Sequence, residues 1–471
     1  MAMKTKYALF LLTLFLISGC ISSNTGKQFS GFWEGPHPAN KDKKFYIHLT
    51  LHHDTIAAEG FWTDRHFYTE HFRVDSVSVH DDSIRFFIPN WNCFYLGKLS
   101  GNQMLKGGFS CKNEAFDSVN LHKNNGAEIY LTEAKPGCQK SNYQYKYRVP
   151  TATKDGIPTG RFQSKNNSLF VDSLVPEIIQ NKYGRLNSFL VIKDGKLICE
   201  EYFYGYTRDD LHPIESSTKS ITSLLIGIAR DKGMIGNLQE PLYKIFPQFP
   251  ELKKGQYQKI TIENLLTMTS GYEPEYKPYL DNDRLAFSLT RKLIQQPGKG
   301  FIYDGGNPEI LGAVLKAKTG VYAEEWAQKY LFDPLGITHY DWHLYRNHGY
   351  PCMGGSLALL PRDMAKIGMM VLNEGEYNHQ QVVSKQWIKE STSMKTTTNS
   401  PGDNYAYLWW DIYLHSGKKN YKTIWANGLG SQFIYIIPEL KTVIVTTGHN
   451  YEFDSWAITK GISKYLYLLD N

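Results

Sequence analysis

The stretch from Glu215 to Gly227, ESSTKSITSLLIG, places Ser216 and Lys219 three residues apart at the front of an apolar run. On a helix, residues i and i+3 share a face, so the hydroxyl and the amine can meet. A serine beside a neutral amine is a nucleophile with its own base. The free N–H groups of a helix start add positive potential, and the serine's own N–H is half of an oxyanion hole. The same residues also suit a plainer role, in which Ser216 or Ser217 caps the helix. Spacing alone does not separate the two. Ser416-Gly417-Lys418-Lys419 repeats the pattern in a polar turn with no apolar helix behind it.

The element behind the first pair is well marked. Ile221, Leu224, Leu225 and Ile228 recur at helical spacing, and Gly233 after Ala-Arg-Asp-Lys is a stop signal. The helix is therefore expected to start at or near Ser216.

Further segments follow in order: ITIENLLTMTSGY, FIYDGGNPEILGAVLKAKTG, FDPLGITHYDW, GGSLALLPRDMAKIG, YAYLWWDIY and ANGLGSQFIYIIPE. With SSTKS before them, they resemble the serine β-lactamase-like family of class C β-lactamases, DD-peptidases, esterases and amidases. The likeness is nearest to the 6-aminohexanoate-dimer hydrolase branch and covers about residue 168 to the C-terminus. It implies an acyl-enzyme on Ser216, with Lys219 as base or relay and Tyr303 sharing the proton transfer. It also implies an oxyanion hole formed by the backbone N–H groups of Ser216 and Leu429. Asn427 and Gly428 of the third motif would line the substrate site. His212, four residues before the nucleophile, reads as structural. Trp409 and Trp410 either wall the cleft or belong to the core, and Trp409 is carried here as a substrate contact.

Two positions depart from that family. Its second motif reads Tyr-x-Asn or Tyr-x-Ser, whereas this chain has Tyr303-Asp304-Gly305. The bridging side chain is missing unless Asn307 or a neighbouring loop replaces it. The third motif opens with Lys or His in the family and with Ala426 here. A cation at that point holds the carboxylate of penicillins or peptidoglycan stems. Both changes favour an esterase or amidase on a small molecule anchored differently. The alternatives are a non-catalytic envelope binding protein with the same fold, or a peptidoglycan DD-peptidase with a substitute anchor.

The architecture that must position these residues is α+β. Residues 166–471 read as an antiparallel β-sheet flanked by helices, plus a mostly helical subdomain. NSFLVIKDGKLICEEYFYG is a hairpin turning at Asp194-Gly195, and SQFIYIIPELKTVIVTTG brings two more strands near the C-terminus. A helix from Ser455 to Leu469 closes the chain. Residues 126–165 lack periodicity and read as a linker. Residues 29–125 read as a small all-β barrel or sandwich, because Phe45, Ile47, Leu49 and Leu51 alternate with polar neighbours and turn signals recur. Asp81-Asp82 and Gly101-Asn102-Gln103 are two such turns. The second sets Cys93 opposite Cys111, as a disulfide or as two buried thiols.

The N-terminus reads MAMKTKYALFLLTLFLISGC, a basic start, an apolar stretch too short to span a bilayer, and small residues before Cys20. It resembles a lipoprotein signal peptide (1–19) with Cys20 lipidated and a tether at 20–28. The expected setting is the bacterial envelope, on the outer membrane facing the periplasm. A net charge of +6, dispersed along 471 residues, gives no basic tract for nucleic acid. No cofactor or metal is expected, since His48, His52 and His53 lack a partnering carboxylate pattern.

Overall fold

The computed structural model describes residues 27–37, 40–52, 55–63, 69–89, 92–111, 115–116, 118–123, 145–203, 206–274, 284–342, 344–345, 350–400, 402–450 and 454–470. The leader and Cys20 lie outside the described residues, as do the side chains of His52 and His53. The chain divides into two compact units, residues 1–132 and 133–471.

The first unit is one antiparallel sheet of ten strands rather than two packed sheets. Its strands include Gly31–His37, Asn40–His52, Ser83–Ile88, Cys93–Leu99 and Met104–Cys111. Alternate residues face one way, so Phe45, Ile47, Leu49, Ile84, Phe86, Ile88, Tyr95 and Phe109 form a single core. Cys93 and Cys111 stand opposite each other in register and are joined by a disulfide. His48 is stacked on Phe32 at 3.9 Å, and its ring nitrogen lies 3.5 Å from the Thr50 hydroxyl. Among the described residues no group of His, Cys, Asp or Glu is arranged to hold a metal.

The second unit is built on an eight-stranded antiparallel sheet. The hairpin Leu186–Lys193 and Lys196–Tyr202 pairs with Thr442–Gly448, followed by Gln432–Ile437, Lys419–Gly428 and Trp410–Ser416. Chain start and chain end of the unit thus meet in neighbouring strands. Both faces are covered. Leu190, Ile192, Ile434, Ile436, Val443 and Val445 point into one core, with the helices Thr218–Asp231, Gly306–Thr319 and Pro361–Leu372. Phe189, Val191, Phe433, Tyr435 and Ile444 point into the other, under Lys165–Ile179 and Ala457–Tyr465. A strand buried on both faces reads as an unbroken apolar run, which is why these central strands are so hydrophobic.

The segment from Tyr145, expected to be linker, belongs to this unit. Tyr145 donates to Glu201 Oε1 at 3.0 Å and Tyr147 to the Ile198 carbonyl at 2.8 Å. Arg362, buried in the helix Pro361–Leu372, donates to the Thr151 carbonyl, to Asp155 and to both oxygens of Glu200. An extended strap has no hydrophobic period of its own, so its partners are invisible in its sequence.

Candidate active site

The helix starts close to where its apolar spacing put it, with Ser216 in a 3-10 turn just ahead of it. Glu215–Ser217 form a 3-10 turn, and the α-helix runs from Thr218 to Asp231. Glu215 sits at φ 48°, a left-handed conformation that carries the chain into the turn. Neither serine caps the helix through its side chain. Ser217 instead donates to the Gln432 carbonyl at 2.7 Å, tying the helix start to the central sheet. Ser216 Oγ accepts a hydrogen bond from Lys219 Nζ at 2.9 Å.

Lys219 is 4% exposed, so its amine is held inside the protein. It makes a second bond, 2.7 Å, to the carbonyl of Gly354. Tyr303 lies over it, with Nζ 5.1 Å from the ring centroid. The Tyr303 ring packs in turn among Phe301, Tyr405 and Trp410 at 5.9–6.4 Å between centroids. Tyr405 is completely buried, and burial first, then the neighbouring Tyr303, holds its phenol well above the ordinary range. Ser216, Lys219 and Tyr303 are therefore brought together from one helix start and the loop that leads into another helix.

On the sheet side, Gly428 ends the strand Lys419–Gly428 against this turn. A Cβ there would stand 2.3 Å from the Ile214 carbonyl, so only glycine permits the approach. Leu429 follows and is 55% exposed. Asn427 is half-buried, and its Oδ1 accepts from the indole N–H of the exposed Trp456 at 3.3 Å. Through that bond Trp456, unmarked in the sequence, stands against the third motif.

Two substrate contacts are corrected. Asn307 is fully buried: its Oδ1 accepts from Ser270 at 2.8 Å and its Nδ2 faces Met268 Sδ. It braces the helix Gly306–Thr319 and does not replace the missing side chain at Gly305. Trp409 is likewise wholly inside the core, and it is Trp410 that packs on Tyr303. Adjacent residues of an extended chain face opposite ways, and the sheet decided which one looks at the site.

Asp304, the middle residue of the altered motif, is used internally. Its carboxylate meets Arg291 at two points and accepts the N–H groups of Gly306 and Asn307. His212 is buried in the short strand paired with Leu357–Leu359, and burial lowers its pKa to about 4 against a small opposing effect of Asp210. The other Ser-x-x-Lys, at 416–419, is a strand turn. There Ser416 accepts from the Tyr467 N–H and Lys419 pairs with Asp470.

A two-faced antiparallel sheet flanked by helices, with a serine and a buried lysine at the start of its central helix, defines the β-lactamase-like class of serine hydrolases. The chain belongs to the Beta-lactamase family, whose sequence profile matches residues 182–451. It is 24% identical over 288 residues to the 6-aminohexanoate-dimer hydrolase of Paenarthrobacter ureafaciens, covering 55% of this chain and 71% of that one. It is 27% identical over 186 residues to protein flp of Staphylococcus aureus (strain COL), covering 36% of this chain but only 37% of flp. Among solved structures, the candidate 6-aminohexanoate-dimer hydrolase of Bacillus anthracis superimposes with a TM-score of 0.54. That match has 18% identity and covers 74% of this chain and 94% of the other.

Proposed function

We propose that this protein hydrolyses an ester or amide of a small molecule through an acyl-enzyme on Ser216, at the cell envelope to which Cys20 tethers it. The observation that carries the reading is the 2.9 Å bond between Lys219 Nζ and Ser216 Oγ at the buried start of the helix. Ser216 Oγ attacks the carbonyl carbon, and its proton passes to the Lys219 amine, with Tyr303 sharing the relay. The tetrahedral oxyanion is held by the N–H groups of Ser216 and Leu429. The proton then goes to the departing alcohol or amine. Water attacks the acyl-serine by the same relay and releases the acid.

Where the family has the cation that anchors a penicillin carboxylate, this chain has Ala426, which is buried and brings no charge. The exposed side chains of this motif are apolar: Leu429 within it, and Trp456, which donates to Asn427. This favours a neutral or apolar group at that end of the substrate, and so a linear amide or ester over a β-lactam or peptidoglycan stem. The relative named for hydrolysis of an amide dimer supports the same substrate class.

Short-chain p-nitrophenyl esters, linear amide dimers and a labelled penicillin, assayed side by side on wild type and Ser216→Ala, test the proposal. Turnover of an ester or amide that vanishes in Ser216→Ala is expected. Wild type that neither turns these over nor reacts with a fluorophosphonate would sink it.

A further inference from the structure

The missing side chain at Gly305 raises the question of what holds Lys219. Its second hydrogen bond goes to a backbone carbonyl, that of Gly354, 135 residues along the chain. Glycine has the loosest backbone of any residue, so this acceptor has to be fixed from outside. The segment Cys352-Met353-Gly354 is pinned at every carbonyl. Trp342 Nε1 donates to Cys352 at 2.9 Å, Thr222 Oγ1 to Met353 at 2.8 Å, and Lys219 itself to Gly354. Thr222 and Lys219 lie on one face of the same helix, so two of these bonds register the segment against the nucleophile.

The remaining handle comes from the second-motif helix. Glu309 Oε1 accepts the Gly354 N–H at 3.3 Å and lies 3.3 Å from Cys352 Sγ. A Cβ on Gly354 would sit 3.1 Å from the Gly305 carbonyl and 3.6 Å from both Glu309 Oε1 and Lys219 Nζ. The carboxylate, the glycine and the amine are thus one packed unit. Gly312, a turn further along the same helix, leaves room for Met353, since a Cβ there would strike its side chain at 2.5 Å.

We infer that Glu309 is a positioning residue for Lys219: by holding both ends of Cys352–Gly354 it fixes the Gly354 carbonyl that aims the amine at Ser216. The inference rests on the reading of Ser216 and Lys219 as nucleophile and base.

The test is steady-state hydrolysis of p-nitrophenyl acetate by the full protein, with thermal unfolding recorded for each variant. Wild type and Ser216→Ala come first. A wild type inert toward this ester, toward linear amide dimers and toward a fluorophosphonate removes the hydrolase reading and this inference with it. With an active wild type, Glu309→Ala is expected to lower kcat by about tenfold to a hundredfold, the scale of a misaimed catalytic group, with KM within about twofold. Glu309→Gln keeps the reach and an accepting oxygen, so it should restore kcat to within a few-fold of wild type. Glu309→Asp keeps the charge but not the reach, so it should stay impaired. Unchanged kcat in a folded Glu309→Ala, or Asp outperforming Gln, would overturn the assignment. If Glu309→Ala does not fold, the Gln and Asp pair still decides.

Discussion

Arg291 and Asp304 form a two-point ion pair, 2.8 Å at each contact, with their side chains only 5% and 1% exposed, in the position next to Tyr303. The same carboxylate accepts the first N–H groups of the helix that follows Tyr303, so the pair sets where that helix starts. Arg291 also donates to the Glu273 and Ser288 carbonyls. Asp304→Asn leaves the guanidinium without its counter-charge in a dry site. It is expected to cost about 3–5 kcal/mol, seen as a lowered denaturation midpoint. Replacing both residues by apolar ones should cost less than the sum of the single changes, which a double-mutant cycle would measure.

Lys219→Met removes the amine but keeps an apolar stem in its channel. The rate of acylation by a fluorophosphonate or an ester should fall by about a hundredfold to ten-thousandfold, as expected when a general base is lost. Because the lysine is buried, the folded state should lose little or gain, so an intact melting curve beside the lost rate separates catalysis from folding.

Asn307→Ala tests the correction made to the substrate site. It strips the acceptor from the buried Ser270 hydroxyl, and should cost about 1–3 kcal/mol of stability. KM should not move. A raised KM at unchanged stability would restore Asn307 to the substrate site.

Neighbouring tryptophans should separate in the same way. Trp409→Ala opens a hole in a completely buried position and is expected to cost about 3–5 kcal/mol. Trp410→Ala, by contrast, removes a wall of Tyr303 and should act on kcat. Thermal unfolding and ester kinetics on both variants check the split.

His212 makes stability depend on pH. Burial lowers its pKa from 6.5 unfolded to about 4 folded, so between those values the unfolded chain binds more protons. Its contribution is whole above about pH 6.5 and is lost as pH falls toward 4. The loss is about 3 kcal/mol across that window, at 1.36 kcal/mol per unit. Urea unfolding at pH 7 and pH 4.5 should show that loss. A folded His212→Phe variant should show a correspondingly flatter profile.

The Ser216–Lys219 contact was legible from the sequence because it needs only one turn of helix, whose geometry is local. The same holds for the Asp194-Gly195 hairpin and for the alternation of Phe45, Ile47 and Leu49, each set by nearest neighbours. The two-faced burial of Phe433–Ile437 was readable as an apolar run, though not which residue faced which core. Glu309 stood in plain view on a motif helix. Nothing in its surroundings marked it, because the group it holds is a backbone amide.

Spacing and residue type, then, determined that a serine and a lysine share a helix start, that a glycine follows Asn427, and that no charge stands at 426. Tertiary packing alone decided that Asn307 turns inward, that Trp410 and not Trp409 meets Tyr303, and that Gly354 receives the lysine. Each of these depends on long-range packing between segments far apart in the chain, and backbone acceptors carry no side-chain signature by which a sequence could announce them.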